Sequence, residues 1–134
     1  MNDLAFVLRA VDVLSAHGLR TWVCGGWAEE LRGLRPPGEH TDLDLLYPAP
    51  SFVRVDELEL EWVEPKRSPW KRAFVLDGTM VELLLVERDP RGWFTRSAGR
   101  RHDWPPDVFA TNGRIAVASA SALSGYRASY RRAA

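Results

Sequence analysis

The stretch that decides the fold spans residues 21–47 and reads TWVCGGWAEELRGLRPPGEHTDLDLLY. Residues 19–24, the last four of which open this stretch, are rich in β-formers and end at Gly25-Gly26, which predicts a strand that closes in a tight turn. A short helix is predicted over 27–34, and a loop with two prolines follows it. Residues 41–47 predict a second strand, so the stretch is interpreted as strand, turn, helix, loop and strand.

Further elements are predicted on both sides of this stretch from apolar periodicity, turn dipeptides and helix start signals. They are a helix between Leu4 and Gly18, an open choice of short helix or strand over 53–62, a turn over 65–69, a hairpin of 70–76 and 80–86, mostly loop over 88–113, a strand over 114–117 and a final helix to Arg131. This order predicts an α/β or α+β domain with a small mixed β-sheet flanked by helices.

The composition is that of an ordinary globular domain. The chain has 134 residues, 46% of them hydrophobic, and its 18 basic and 18 acidic residues give a formal net charge of zero. This balance argues against a large nucleic-acid footprint, which is usually basic. No apolar run reaches the roughly 20 residues that cross a membrane. The one cysteine, Cys24, is interpreted as a small buried hydrophobe, and a reducing cytoplasm is the expected location.

Two aspartates, Asp42 and Asp44, lie two positions apart on the second predicted strand. Side chains alternate faces along a strand, so both carboxylates point the same way, with Cα atoms about 7 Å apart. Such a pair can share one hard cation, and Mg²⁺ prefers an oxygen-rich shell that phosphate oxygens complete. The alternative interpretation is a solvent-facing strand with two acids, because an isolated Asp-x-Asp is common.

Glu82 interrupts the otherwise apolar run from Met80 to Val86. A carboxylate in a buried strand is costly unless it is paired or binds a metal. If this strand lies beside the one that carries Asp42 and Asp44, three acids converge in the arrangement that serves two-metal phosphoryl or nucleotidyl transfer. Glu82 would then act as general base or second-metal ligand. The alternative is a glutamate on the wet face that pairs with Arg72 or Lys71.

Gly25 and Gly26 are candidates for phosphate contact, because glycine lets the backbone approach a ligand and a helix N-terminus favours anions. A plain tight turn is the alternative. His40 precedes Asp42 by two residues and is expected to share its face, where it could orient that aspartate or touch a phosphate. The arginines considered for phosphate contact are Arg35, Arg72 and Arg127.

The order of these motifs resembles the nucleotidyltransferase superfamily with the polymerase-beta-like fold. Gly25-Gly26-Trp27, a short helix to Gly33, and then His40-Thr41-Asp42-Leu43-Asp44 look most like the branch of aminoglycoside and lincosamide adenylyltransferases. Glu82 matches the third acid of that family, and residues 115–119 with the helix after them resemble its closing strand and helix. The resemblance covers roughly residues 20 to 130.

The resemblance implies an enzyme that uses Mg²⁺ and a nucleoside triphosphate. The catalytic and metal residues would be Asp42, Asp44 and Glu82. The nucleotide would contact Gly25, Gly26, Trp27, His40, Arg72 and Arg127. AMP from ATP would pass to a hydroxyl of a small molecule such as an aminoglycoside-like antibiotic.

Other interpretations stay open within the same resemblance. One is a nucleotidyltransferase toxin of a toxin–antitoxin pair that acts on RNA or protein. Another is a degenerate nucleotide-binding module, or one that needs a partner chain to complete it. The chain is expected to be a single domain over 1–134 without a separate helical acceptor-binding domain, and its size and tryptophan count suit a homodimer.

Overall fold

The computed structural model describes residues 2–133, with side chains up to Arg127. Within that range the chain forms three α-helices and nine strands. They are α1 (Leu4–Ala16), β1 (Trp22–Cys24), α2 (Gly25–Leu31), β2 (Asp42–Pro48), β3 (Glu61–Trp62), β4 (Lys71–Leu76), β5 (Thr79–Asp89), β6 (Gly92–Ser97), β7 (Arg100–Asp103), β8 (Phe109–Asn112), β9 (Ile115–Ala118) and α3 (Ala120–Ala133). The mixed α/β class predicted from the sequence is confirmed.

The strands form one mixed sheet with the order β3-β4-β5-β2-β1-β9-β8. Two of its pairs are parallel, β2 with β5 and β1 with β9, and the other pairs are antiparallel. The long strand β5 continues past this sheet and pairs with β6, which pairs with β7. The centre of the sheet is therefore the neighbouring pair β2 and β5.

The predicted hairpin is confirmed as β4 and β5. Asp77 and Gly78 both have positive φ, 48° and 77°, as a two-residue type I′ turn requires. The turn pairs Leu76 with Thr79 and so sets Ala73 opposite Glu82. This register decides which β4 side chains share a face with Glu82.

The first helix is confirmed at the predicted place. Asp3 caps it by accepting a hydrogen bond from the Phe6 N–H at 2.8 Å. Its buried face carries Val7 and Leu14, both with no exposed surface, into the core shared with the sheet. In the described part of the chain, no helix is both long and apolar enough to cross a membrane.

The prediction of mostly loop over 88–113 is wrong, because β6, β7 and β8 lie there. The glycines and prolines of this segment mark the turns between short strands. Ion pairs of Arg101 on β7 help to hold these short strands together. Its guanidinium binds Asp89 of β5 at 2.6 Å and Asp103 of β7 at 2.7 Å. The segment 53–62, left open between helix and strand, contains a short 3₁₀ turn and the two-residue strand β3.

Candidate functional site

Three carboxylates converge at the centre of the sheet. In the parallel pair of β2 and β5, Asp44 lies directly beside Glu82, and Asp42 precedes Asp44 on the same face. One oxygen from each of Asp42, Asp44 and Glu82 can be chosen so that all lie within 4.8 Å of one another. The donor set is therefore entirely carboxylate oxygen, which suits a hard divalent cation such as Mg²⁺.

The cluster is electrostatically unfavourable without a cation. Burial, a hydrogen bond with Glu82 and the nearby negative charges raise the pKa of Asp44 from 3.8 to about 8. Two lysines compensate in part: Lys71 lies 3.7 Å and Lys66 3.9 Å from the Glu82 carboxylate oxygens. A divalent cation would supply the remaining positive charge, so the residues present fit such an ion.

The Gly-Gly turn packs directly onto this cluster. Strand β1 ends at Cys24, whose register partner is Asp44, and the next residue, Gly25, has φ +66°. A Cβ at Gly25 would collide with the Asp44 carboxylate. A Cβ at Gly26 would lie 2.6 Å from an Arg35 guanidinium nitrogen. Gly25 thus holds the backbone close to Asp44, where no larger residue fits, while Gly26 faces Arg35 and His40 and does not line the cleft.

A cleft of about 330 Å³ opens beside the cluster, between the sheet, α2 and α3. One side carries acids and Lys71, while Leu84 and Leu123 form an apolar side. The lining residues are Cys24, Gly25, Glu29, Asp44, Lys71, Glu82, Leu84, Leu123, Tyr126 and Arg127. The volume is in the range of small-molecule sites.

Besides Leu123, two further residues of α3 line the cleft. Arg127, a predicted nucleotide contact, lies on its rim and is held there by an ion pair with Glu29 of α2. Tyr126 stacks on the buried ring of Trp104, with ring centroids 4.9 Å apart. The sequence did not single out Glu29 as a site residue, although its position one turn after Gly25 on a helix placed it on a nearby face.

The structure places Trp27 and His40 behind the Gly-Gly turn, away from the cleft lining. The Trp27 indole is buried and donates to Asn2 Oδ1 at 2.6 Å. The His40 ring stacks on it, with centroids 4.3 Å apart, and its Nε2 lies 3.0 Å from Glu30. The strand alternation from which a shared face with Asp42 is expected does not extend to His40, because β2 begins only at Asp42. Both rings support the Gly25-Gly26 turn from behind and do not line the cleft.

The structure also corrects the expected role of Arg72. Its register partner is Leu83, so it lies on the opposite face of the sheet from Glu82. There its Nε donates to Asp56 at 2.7 Å and its guanidinium lies 4.4 Å from the centre of the Phe52 ring. The neighbouring Lys71 is the basic residue of β4 that faces the cluster. The alternative pairing of Glu82 with Lys71 is thus observed together with the acid cluster.

Sequence comparisons relate the chain to part of one longer protein. No protein-family model matches the chain. A tRNA (guanine-N(7)-)-methyltransferase from Nitrobacter winogradskyi is 32% identical over 94 residues, which are 70% of this chain and 30% of that protein. The chain therefore spans less than a third of that relative's length.

Two solved structures are similar over almost the whole chain. The lincomycin-bound lincosamide antibiotic adenylyltransferase LnuA superposes with a TM-score of 0.69 at 17% identity, covering 96% of this chain and 87% of its own. ANT(2″)-Ia in complex with adenylyl-2″-tobramycin gives 0.66 at 15% identity, covering 97% of this chain and 76% of its own. This similarity, together with the acid cluster at the centre of the sheet, shows that the chain has the nucleotidyltransferase fold.

Proposed function

We propose that this protein is a magnesium-dependent nucleotidyltransferase that moves AMP from ATP to a hydroxyl of a small molecule. The observation that carries the proposal is the convergence of Asp42, Asp44 and Glu82 at one edge of a small-molecule cleft. Partly buried acids are destabilising unless they are paired or bind a metal, and among the residues whose side chains are described two lysines lie within 4 Å of the Glu82 carboxylate.

Asp42, Asp44 and Glu82 would hold Mg²⁺, which when bound neutralises the triphosphate charge and orients it. The chain itself would then position the reactants. Gly25 keeps its backbone against Asp44, so a triphosphate on the metal would lie beside the turn without meeting a side chain. Arg127 at the rim offers guanidinium N–H groups to the same phosphates, in exchange for its present contact with Glu29.

The chemical step is a substitution at the α-phosphorus of ATP. The acceptor oxygen forms a bond to this phosphorus while the bond to the β-phosphate oxygen breaks, and pyrophosphate leaves with the electron pair. The acceptor proton passes to the carboxylate of Glu82, which we propose as general base. Lys71, 3.7 Å from Glu82, positions that carboxylate on the cleft side of β5.

The acceptor class is proposed from the cleft and from the similar structures. The wall formed by Leu84, Leu123 and Tyr126 suits the apolar part of a small polyhydroxylated molecule. The two similar structures contain lincomycin and adenylyl-2″-tobramycin. An antibiotic of the aminoglycoside or lincosamide type is therefore the acceptor that we propose to test first.

The test is transfer of label from α-³²P-labelled ATP to a panel of aminoglycosides and lincosamides in the presence of Mg²⁺. We expect a labelled product and one pyrophosphate per transfer, both abolished by Asp44→Asn and by Glu82→Gln. The Arg96→Ala variant serves as a control, because Arg96 lies on β6 outside the cleft. Labelled product from Asp44→Asn at the wild-type rate would refute the proposal.

We also propose that the chain acts as one domain and works in the cytoplasm, which its single, buried Cys24 suits. A homodimer or a partner chain that completes the acceptor site stays a prediction. Sedimentation of the full chain with and without ATP and Mg²⁺ tests the dimer.

A further inference from the structure

A second cleft, of about 550 Å³, lies at the end of the sheet opposite the acids. We call it the arginine–aromatic groove and define it by Arg20, Trp22, Arg54, Trp93 and Phe109. Strands β1 and β2 are antiparallel, so the start of β1 lies by the end of β2, while the end of β1 lies by the acids. The groove is therefore separate from the cleft proposed for nucleotidyl transfer.

Three aromatic rings from different parts of the chain build its floor. Phe109 of β8 packs against Trp22 of β1, with centroids 4.7 Å apart, and against Trp93 of β6, at 4.9 Å. All three are only partly buried, so each keeps accessible ring surface. Partly exposed aromatic rings beside a cleft are stacking surfaces for planar ligands.

The charged residues of the groove are all basic. Arg20 and Arg54 line it, and no acidic residue does. The Arg20 guanidinium lies 5.0 Å from the centre of the Trp22 ring, and Arg88 lies 5.2 Å from that of Trp93. Within residues 2–127, where side chains are described, these three arginines make no ion pair and no side-chain hydrogen bond.

Several arginines elsewhere differ in this respect: Arg9, Arg72 and Arg101 each bind an aspartate. Arg20 lies near an aromatic ring while no ion pair or side-chain hydrogen bond within residues 2–127 uses its N–H donors, and the same donors of Arg54 are also unpaired there. Such donors bind the oxygens of phosphate with two parallel hydrogen bonds. The groove thus offers stacking surface and phosphate donors at one place, in a chain whose net charge is zero.

We propose that the arginine–aromatic groove binds a nucleobase that carries a phosphate group. The base packs against the ring surface of Trp22, Trp93 and Phe109 that stays accessible in the groove, and the phosphate accepts hydrogen bonds from Arg20 and Arg54. The volume is sufficient for one nucleotide. The ligand is either a free nucleotide or the terminal nucleotide of a single strand, because both present the same chemistry. The site does not depend on the proposed transfer reaction.

The test is calorimetric titration of the full chain in EDTA, which removes divalent cations, with AMP, adenosine and a 5′-phosphorylated single-stranded tetranucleotide. We expect saturable binding of AMP, of the tetranucleotide or of both, and much weaker binding of adenosine. Binding of AMP indicates that the ligand is a free nucleotide. Binding of the tetranucleotide without binding of AMP indicates that the ligand is the end of a single strand. If neither binds, or adenosine binds as tightly as AMP, the proposal is wrong.

Variants locate the binding. Arg20→Ala with Arg54→Ala should weaken it by about tenfold or more, since charged hydrogen bonds are lost. Arg96→Ala is the matched control, because Arg96 also lies over a ring, that of Phe94, but outside the groove. Asp42→Asn with Asp44→Asn should leave the binding unchanged even if it abolishes transfer. Loss of binding in that acid variant, or none in the double arginine variant, would overturn the assignment.

Discussion

Asp44 and Glu82 lie directly side by side on the parallel strands β2 and β5. Burial, and after it the hydrogen bond with Glu82 and the negative charges of Glu82 and Asp42, raise the pKa of Asp44. Cys24 is the register partner of Asp44. Burial and the negative charges of Asp44 and Glu82 raise the pKa of its thiol as well. Ionisation of all three acids at the centre of the sheet is therefore unfavourable, and a bound cation would relieve this cost.

The first prediction concerns stability against pH in the absence of divalent cations. Folding raises the pKa of Asp44 from 3.8 to about 8, so the folded state binds the proton more tightly than the unfolded state. The stabilising contribution is present below pH 3.8 and is lost as the pH rises through 8. Relative to wild type, Asp44→Asn should gain free energy of unfolding over this window, by about 1 kcal/mol or more.

Urea denaturation in EDTA across this pH range measures the effect. Asp12→Asn on the exposed side of α1 is the control, because it removes one carboxylate away from the cluster. If wild type and Asp44→Asn show parallel pH profiles, folding does not raise the pKa of Asp44 and the account is wrong.

The second prediction concerns Mg²⁺ binding. The ion needs Asp44 ionised, so a proton must leave when it binds below pH 8. The affinity for Mg²⁺ should then increase by up to about tenfold per pH unit as the pH approaches that pKa. Calorimetry in two buffers with different ionisation enthalpies measures the proton release directly. A pH-independent affinity without proton release would contradict the assignment of Asp44 as a ligand.

The third prediction separates backbone strain from the collision with the acids. Gly25→Ala places a Cβ against the Asp44 carboxylate at a residue with φ +66°. Gly113→Ala is the matched control: its φ is +62° and nothing lies within 4 Å of the added Cβ. Both should lose about 1–2 kcal/mol of stability from the left-handed backbone.

Only Gly25→Ala should also lose the thermal stabilisation that ATP and Mg²⁺ give, because its methyl group displaces a metal ligand. Thermal denaturation with and without the ligands compares the two variants. Equal stabilisation of both by MgATP would show that the turn does not depend on the contact with Asp44.

The fourth prediction uses two adjacent residues on opposite faces of β4. Arg72→Ala removes the hydrogen bond to Asp56 and the contact with Phe52, and should cost about 2 kcal/mol of stability with unchanged MgATP affinity. Lys71→Ala removes the cation beside Glu82 and should weaken MgATP binding or transfer at little cost in stability. Urea denaturation and calorimetry check both variants. If Arg72→Ala instead weakened MgATP binding and Lys71→Ala instead lowered stability, Arg72 and not Lys71 would contact the nucleotide.

Part of the site follows from local rules and was predictable. Alternation along one strand places Asp42 and Asp44 on one face, and the buried context of Glu82 marks it as unusual. The pairing of β2 with β5 does not follow from local rules. It is a parallel pairing between distant segments, and no turn fixes its register, so the position of Glu82 beside Asp44 needed either the structure or the resemblance.

The error on Arg72 was avoidable. A two-residue Asp-Gly turn fixes the pairing of Leu76 with Thr79, and counting back from it places Lys71, and not Arg72, on the face of Glu82. The wrong prediction of a loop over 88–113 was harder to avoid. There β6 and β7 are short, rich in turn formers and joined by ion pairs such as Arg101 with Asp89, which only the folded arrangement brings together.

The most direct test of the central claim is calorimetric titration of ATP, as a non-cleavable α,β-methylene analogue, into the full chain with Mg²⁺ and in EDTA. We expect binding that requires Mg²⁺ and is weakened about a hundredfold or more by Asp42→Asn with Asp44→Asn, since both charged metal ligands are lost. Arg96→Ala should bind as wild type does. Equal affinity of wild type and the double aspartate variant in Mg²⁺ would contradict the assignment of this cluster as the nucleotide-bound metal site.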